Sequence, residues 1–175
     1  LCAAGVGISG YLTSLHIDLF YGGGASSLCN FGEGFDCGAV NGSPQSELLG
    51  VPHALLAIPT YVVLAGLGWR AARAGSRTAA DVMLGVTVLT VGYSAWLVYV
   101  SAVVLGNWCL FCLGLDAINV TLLALAAVAA GWGAWARLPL LPVRSPAAVG
   151  GTLLASLLLL GVAWGTEVDP AALPR

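Results

Sequence analysis

The stretch NWCLFCLGLDAINV, residues 107–120, decides how this chain folds. It opens on a polar residue and a tryptophan, sets two cysteines three positions apart, and then turns apolar, interrupted only by Asp116 and Asn119. The apolar character continues to about residue 135, and about 20 such residues suffice to cross ~30 Å of hydrocarbon as a helix. Working outward, similar runs cover residues 1–20, 51–69, 80–105 and 147–164. The 175-residue chain is 59% hydrophobic and only 8% charged, with a mean hydropathy of +0.94. Soluble domains do not have that composition. The expectation is an all-α membrane protein: a four-helix transmembrane bundle plus a fifth transmembrane helix.

Orientation follows from the arginines, because cationic residues near helix ends are retained on the cytoplasmic side. Arg70, Arg73 and Arg77 fall between the second and third runs, and Arg137 and Arg144 between the fourth and fifth. The loop of residues 21–50 carries Glu33, Asp36 and Glu47 but no Lys or Arg. This places that loop, the Cys109 end of the fourth helix and the C-terminal tail in the periplasm or an equivalent lumen. Six arginines and no lysine hint at a GC-rich bacterial source, hence a multi-pass protein of a bacterial inner membrane. The net charge of -2 excludes a basic nucleic-acid binder. The glycines at 22–24 are those of a flexible linker rather than a phosphate loop.

Five cysteines remain to be explained: Cys2, Cys29, Cys37, Cys109 and Cys112. Four of them fall on the side where disulfides persist. Cys2, alone in an apolar helix, is expected to be a small hydrophobe. Cys29 and Cys37 lie in SLCNFGEGFDCGAVNGS, residues 27–43, a glycine-rich loop able to bring two sulfurs together. Cys109 and Cys112 open the fourth helix, where i and i+3 share a face and the helix N-terminus favours thiolate. A static loop disulfide accounts for the first pair taken alone, and a structural role for the second. Together, two pairs on one side of the membrane can pass electrons by thiol–disulfide exchange. A four-cysteine metal site competes, but the seven-residue spacing is wider than the usual zinc knuckle and the compartment favours disulfides, so no metal is expected.

The ordered set resembles the vitamin K epoxide reductase family. The resemblance rests on C-x7-C in a loop, Ser43 six residues later, C-x-x-C opening a helix that continues GLDAINV, and the opening LCAAGVGISGYLTSLHI. It implies a catalytic bundle over residues 1–135 around a quinone, capped by the loop of residues 21–50. A connection and fifth helix follow over 136–166, and a tail over 167–175 that in bacterial members leads to a thioredoxin-like domain. It further implies that Cys112 reacts with the quinone and Cys109 is its partner. Cys37 would then exchange with Cys109, and Cys29 would meet an external thioredoxin-like thiol protein. Ser43 matches the family's loop serine. His53 and Asp116 stand where vertebrate members place an asparagine and a tyrosine that bond the quinone carbonyls.

Imidazole can donate to a carbonyl or relay a proton, though His53 also fits a plain interfacial histidine. Asp116 lies one turn past Cys112 on the same face, and ionisable residues inside membrane helices generally face an interior cavity. It is expected to contact quinone or handle protons. Asn119 is expected to bond helix to helix. Trp108 and Tyr21 look interfacial, and Pro52 and Pro59 fit a helix start and a tolerated kink.

A dithiol closing to a disulfide supplies the two electrons and two protons a quinone needs, so neither metal nor flavin is expected. The resulting expectation is a membrane thiol oxidase that reduces ubiquinone, menaquinone or a vitamin K type quinone and supports disulfide formation. Recycling of vitamin K epoxide is an alternative with the same chemistry. A non-enzymatic membrane scaffold with structural disulfides or a four-cysteine metal site is an alternative of another class.

Overall fold

The structure, a computed structural model, describes residues 1–21, 28–29 and 34–131. The expected fifth helix, the connection at 136–166, the tail at 167–175, Glu33, Arg137 and Arg144 lie outside the described residues. Four long helices dominate: α1 (Cys2–Tyr21), α3 (His53–Ala74), α4 (Arg77–Tyr99) and α5 (Leu110–Ala130). Between α1 and α3 come a short helix α2 (Cys37–Asn41), a 3-10 turn (Pro44–Ser46) and a hairpin of β1 (Glu47–Leu48) with β2 (Val51–Pro52). Helix α1 packs on α3, α3 on α4, α4 on α5 and α5 back on α1, which closes a four-helix bundle.

Among the described residues three helical stretches are long and apolar enough to cross a membrane: α3, Arg77–Val104 and α5. The chain is an all-α membrane protein. Helix α1 is nearly as long, at 20 residues, but carries Ser9, Thr13 and His16, all buried. The Thr13 hydroxyl donates to the Ser9 carbonyl at 2.7 Å, and Thr87 in α4 does the same to Met83 at 2.9 Å. A hydroxyl satisfied by its own helix can sit in an apolar interior without an orphaned donor.

The helix boundaries depart from the apolar runs where local chemistry intervenes. Helix α3 starts at His53 rather than 51, because Val51 and Pro52 pair with β1. It continues past residue 69 through Arg70 and Arg73 to Gly75, whose φ of 55° ends it in the left-handed region glycine adopts freely. Ser76 caps α4 by accepting from Ala79 N at 3.3 Å. The three arginines expected in a loop therefore lie in the facing ends of two helices joined by Gly75 and Ser76 alone. Arg73 reaches back over the Trp69 ring at 4.3 Å. Helix α3 runs unbroken through Pro59. Helix α4 widens into a π turn at Val100–Val104, and the Leu105 N–H bonds the Val100 carbonyl at 3.0 Å. Ser101 then donates to Asn107 O at 2.6 Å, and Gly106 takes a φ of 64°, turning the chain back toward α5.

The core of the bundle centres on Tyr61, Leu64, Met83, Leu84, Leu122 and Ala126. A second cluster, of Leu12, Leu15, Ala54 and three cysteines, lies at the end where the loop caps the bundle. Gly5 fixes how closely α1 approaches α3: a Cβ placed there would lie 2.8 Å from three ring atoms of Tyr61. That ring cannot swing aside freely, since its hydroxyl donates to Asn119 Oδ1 at 2.9 Å. Gly5→Ala is therefore expected to destabilise the bundle by about 1–3 kcal/mol, the usual cost of overpacking. The check is a lower midpoint of thermal unfolding in detergent.

Candidate functional site

Cys109 does not begin the helix, as its place in the apolar run suggests; it caps it. Its φ and ψ of -105° and 111° are extended, and its sulfur accepts from Cys112 N at 3.2 Å, the position a serine or aspartate cap would take. Cys112 thus occupies the first turn of α5, where unpaired N–H groups favour a thiolate. The two cysteines are bonded as a disulfide with Cα atoms 5.1 Å apart. Cys109 is buried and Cys112 half-buried, so the pair has one face toward the protein and one less enclosed.

Cys29 and Cys37 form the other disulfide, with Cα atoms 5.7 Å apart. Cys37 is the first residue of α2, a helix capped by Asp36, whose carboxylate accepts from Ala39 N at 2.9 Å. The chain just before it runs beside the chain just before Cys109. Asp36 N donates to Trp108 O at 3.1 Å and Trp108 N to Gly34 O at 2.8 Å, a parallel bridge between Phe35 and Trp108. Cys29 is steadied from α1: Leu28 N donates to the Tyr11 hydroxyl at 3.0 Å, and the Tyr11 ring packs on Phe111 at 4.8 Å. These contacts leave Cys29 and Cys37 without exposed surface, rather than held out on a free loop.

The sulfurs of Cys29, Cys37 and Cys109 all lie within 4.8 Å of one another. As free thiolates the three would also be donors suited to a soft cation. As bonded here they are two disulfides whose facing sulfurs lie within 4.8 Å of one another. A thiolate released from one pair needs only a small shift to attack the other.

The other candidates divide. Ser43 is buried with its hydroxyl donated to Val40 O at 2.8 Å, where it holds the turn after α2. His53, the first residue of α3, is half-buried. Its Nε2 lies 2.9 Å from the Gln45 carbonyl, and the Tyr93 hydroxyl is 3.1 Å from the ring nitrogens. Since a backbone carbonyl only accepts, Nε2 donates to Gln45 and Nδ1 accepts from Tyr93.

Asp116 lies one turn beyond Cys112 and bonds the Ser94 side chain of α4. Asn119 donates to Ser94 Oγ at 2.8 Å and accepts from Tyr61, so it ties α5 to both α3 and α4 as the sequence suggests. The donors run one way: Tyr61 to Asn119 and Asn119 to Ser94. Sequence reasoning missed Tyr61 and Ser94 as the partners of Asn119, and Tyr11 and the Trp108 backbone as the groups that hold the cap loop. Their partners are far away in sequence, from 17 positions for Tyr11 and Leu28 to 58 for Tyr61 and Asn119 and further still for Trp108 and Gly34, and no local pattern marks them.

The four cysteines in this arrangement, set on this bundle, coincide with a family model: that of the vitamin K epoxide reductase family matches residues 1–127. The chain belongs to that family. A search of the curated proteins finds no match to the chain. The matched residues take in α1 through most of α5 and every cysteine described above. Vitamin K epoxide reductase family members are oxidoreductases of membrane disulfide and quinone chemistry, and both cysteine pairs that chemistry calls for are present here.

Proposed function

We propose that the protein is a quinone-dependent thiol oxidase of the bacterial inner membrane, with its cysteine pairs facing the periplasm. The observation that carries this reading is the approach of Cys109 within 4.8 Å of both sulfurs of the loop pair. A thioredoxin-like dithiol attacks Cys29, and the Cys29–Cys37 bond breaks to release the Cys37 thiolate. The partner's second thiol closes the partner's disulfide and frees Cys29. The Cys37 thiolate attacks Cys109, and the Cys109–Cys112 bond breaks to release Cys112. Cys29 then resolves the Cys37–Cys109 bond, which re-forms Cys29–Cys37 and leaves Cys109 and Cys112 reduced. That dithiol passes two electrons and two protons to quinone as its disulfide closes, giving a hydroquinone. Every sulfur returns to its starting state, with one partner dithiol oxidised and one quinone reduced.

Asp116, one turn beyond Cys112, handles a proton or meets the quinone, and Ser94 fixes its orientation. His53, held by Gln45 and Tyr93, meets the quinone from α3. Residues 1–135 form the catalytic unit of this reading.

The test is anaerobic quinone reduction by the detergent-solubilised protein with a small dithiol, followed by loss of quinone absorbance with ubiquinone, menaquinone and vitamin K in turn. Turnover with at least one is expected, and none would sink the reading. Asp116→Asn is expected to slow turnover roughly 10²-fold, the lower range for loss of a general acid or base. An unchanged rate would restrict Asp116 to packing.

The clustering of three sulfurs favours one second reading, a scaffold that holds a soft metal. Stoichiometric zinc in the purified protein, with no change in thiol content on adding quinone, would support it.

A further inference from the structure

The loop that carries Cys37 is held on either side of that cysteine. Before the cysteine, Gly34 and Asp36 bond the backbone at Trp108. After it, the end of α2 and the start of β1 converge on one side chain, His16 of α1, which is 2% exposed. Its Nδ1 lies 2.7 Å from the carbonyl of Asn41, the last residue of α2, and its Nε2 lies 2.9 Å from Glu47 Oε1 in β1. The Ser46 hydroxyl is 2.7 Å from that same Asn41 carbonyl. Asn41 in turn donates to Leu12 O, one turn back on α1, at 2.6 Å. The Phe20 ring stacks on the imidazole at 4.5 Å. The imidazole thus lies between a backbone carbonyl of α2 and a carboxylate of β1, within hydrogen-bond distance of both, and bridges the two. Among the described residues the other links from this stretch to the helices are the Asn41 bond to Leu12 O and the bond between His53 of α3 and the Gln45 carbonyl, and neither holds Glu47.

We propose that His16 is the positioning residue for the exchange between Cys37 and Cys109, acting by clamping the far end of α2 and the β hairpin to α1. This rests on the relay described above and adds to it a residue that touches neither substrate nor any sulfur. Exchange needs the attacking thiolate aligned on a sulfur within a few tenths of an ångström of contact. Small misplacements of reacting groups cost large factors in rate. Without His16, the far end of α2 keeps only the Asn41 bond to Leu12 O on α1, and Cys37 gains freedom to pivot about Asp36. The clamp removes that pivot.

The test uses the full chain with Cys2, Cys29 and Cys112 replaced by serine, so that Cys37 and Cys109 are the only thiols. Diamide, which takes up two electrons and two protons as the disulfide closes, traps the Cys37–Cys109 bond, and alkylation with mass readout follows its rate. His16→Phe keeps the ring and removes both nitrogens. It is expected to slow trapping about tenfold or more, as loss of a hydrogen bond to a charged group does, with His16→Gln between it and the parent. Glu47→Gln is expected to slow trapping several-fold and decides the matter should His16→Phe fail to fold. In the chain with all native cysteines, His16→Phe should lower turnover with a thioredoxin-like donor while sparing turnover with a small dithiol. A generally loosened fold would not produce that split. Trapping at the parent rate in a folded His16→Phe or in Glu47→Gln overturns the proposal and leaves the relay standing. Failure of the parent itself to trap removes both.

Discussion

Cys112→Ser is expected to abolish quinone reduction, with a fall of at least about 10³-fold whatever the donor. Removing the nucleophile of a covalent mechanism leaves only what binding and orientation contribute. The geometry favours Cys112 over Cys109 as the cysteine that would meet quinone. Cys109 is the cap of α5, buried against the loop pair, whereas Cys112 sits in the first turn, half-buried, one turn short of Asp116. The serine variant should fold, because the cap hydrogen bond to the residue 112 N–H comes from the Cys109 sulfur and survives the change. The check is anaerobic loss of quinone absorbance beside a thermal melt. A variant that melts like the parent and still reduces quinone at an undiminished rate contradicts the account.

Cys29→Ser is expected to separate the two kinds of donor. With a thioredoxin-like protein as reductant, turnover should fall at least about 10²-fold, because the entry sulfur and the means of resolving Cys37 are both lost. With a small dithiol that reaches Cys109–Cys112 directly, turnover should remain within a few-fold of wild type. The split follows from two disulfides that meet at one sulfur, Cys109, and can be reduced separately. Equal loss with both donors would mean that Cys29 serves the fold, as a static loop disulfide would.

The long helices were legible because their evidence is local. An uninterrupted apolar run marks a spanning helix whatever packs beside it, and the runs at 51–69, 80–105 and 108–135 each overlap one observed helix. Their ends were not, since Pro52 is held in a hairpin with Glu47 as partner and the arginines extend α3 and α4 rather than interrupt them. The cap loop hid more. Helix α2 has five residues, and the hairpin turns through Leu49 and Gly50, both at positive φ, with a leucine where a turn signal would place asparagine.

For the site, cysteine spacing made the two pairs legible, while the closeness of Cys109 to the loop pair depends on the Trp108 bridge, which spacing does not encode. His16 was invisible for the same reason. On α1 it is one polar residue in an apolar helix, and its meaning comes from Asn41 and Glu47, 25 and 31 positions away.

The central claim is that electrons cross between the two pairs, and the most direct measurement maps the disulfides during a single turnover. Fully reduced wild-type protein is mixed anaerobically with one equivalent of quinone, quenched with alkylating reagent at successive times, and digested for mass analysis. The account predicts that Cys109–Cys112 closes first and reopens as Cys29–Cys37 closes, with a transient Cys37–Cys109 bond between them. Cys29 and Cys37 remaining reduced thiols while quinone is consumed at Cys109–Cys112 would contradict it.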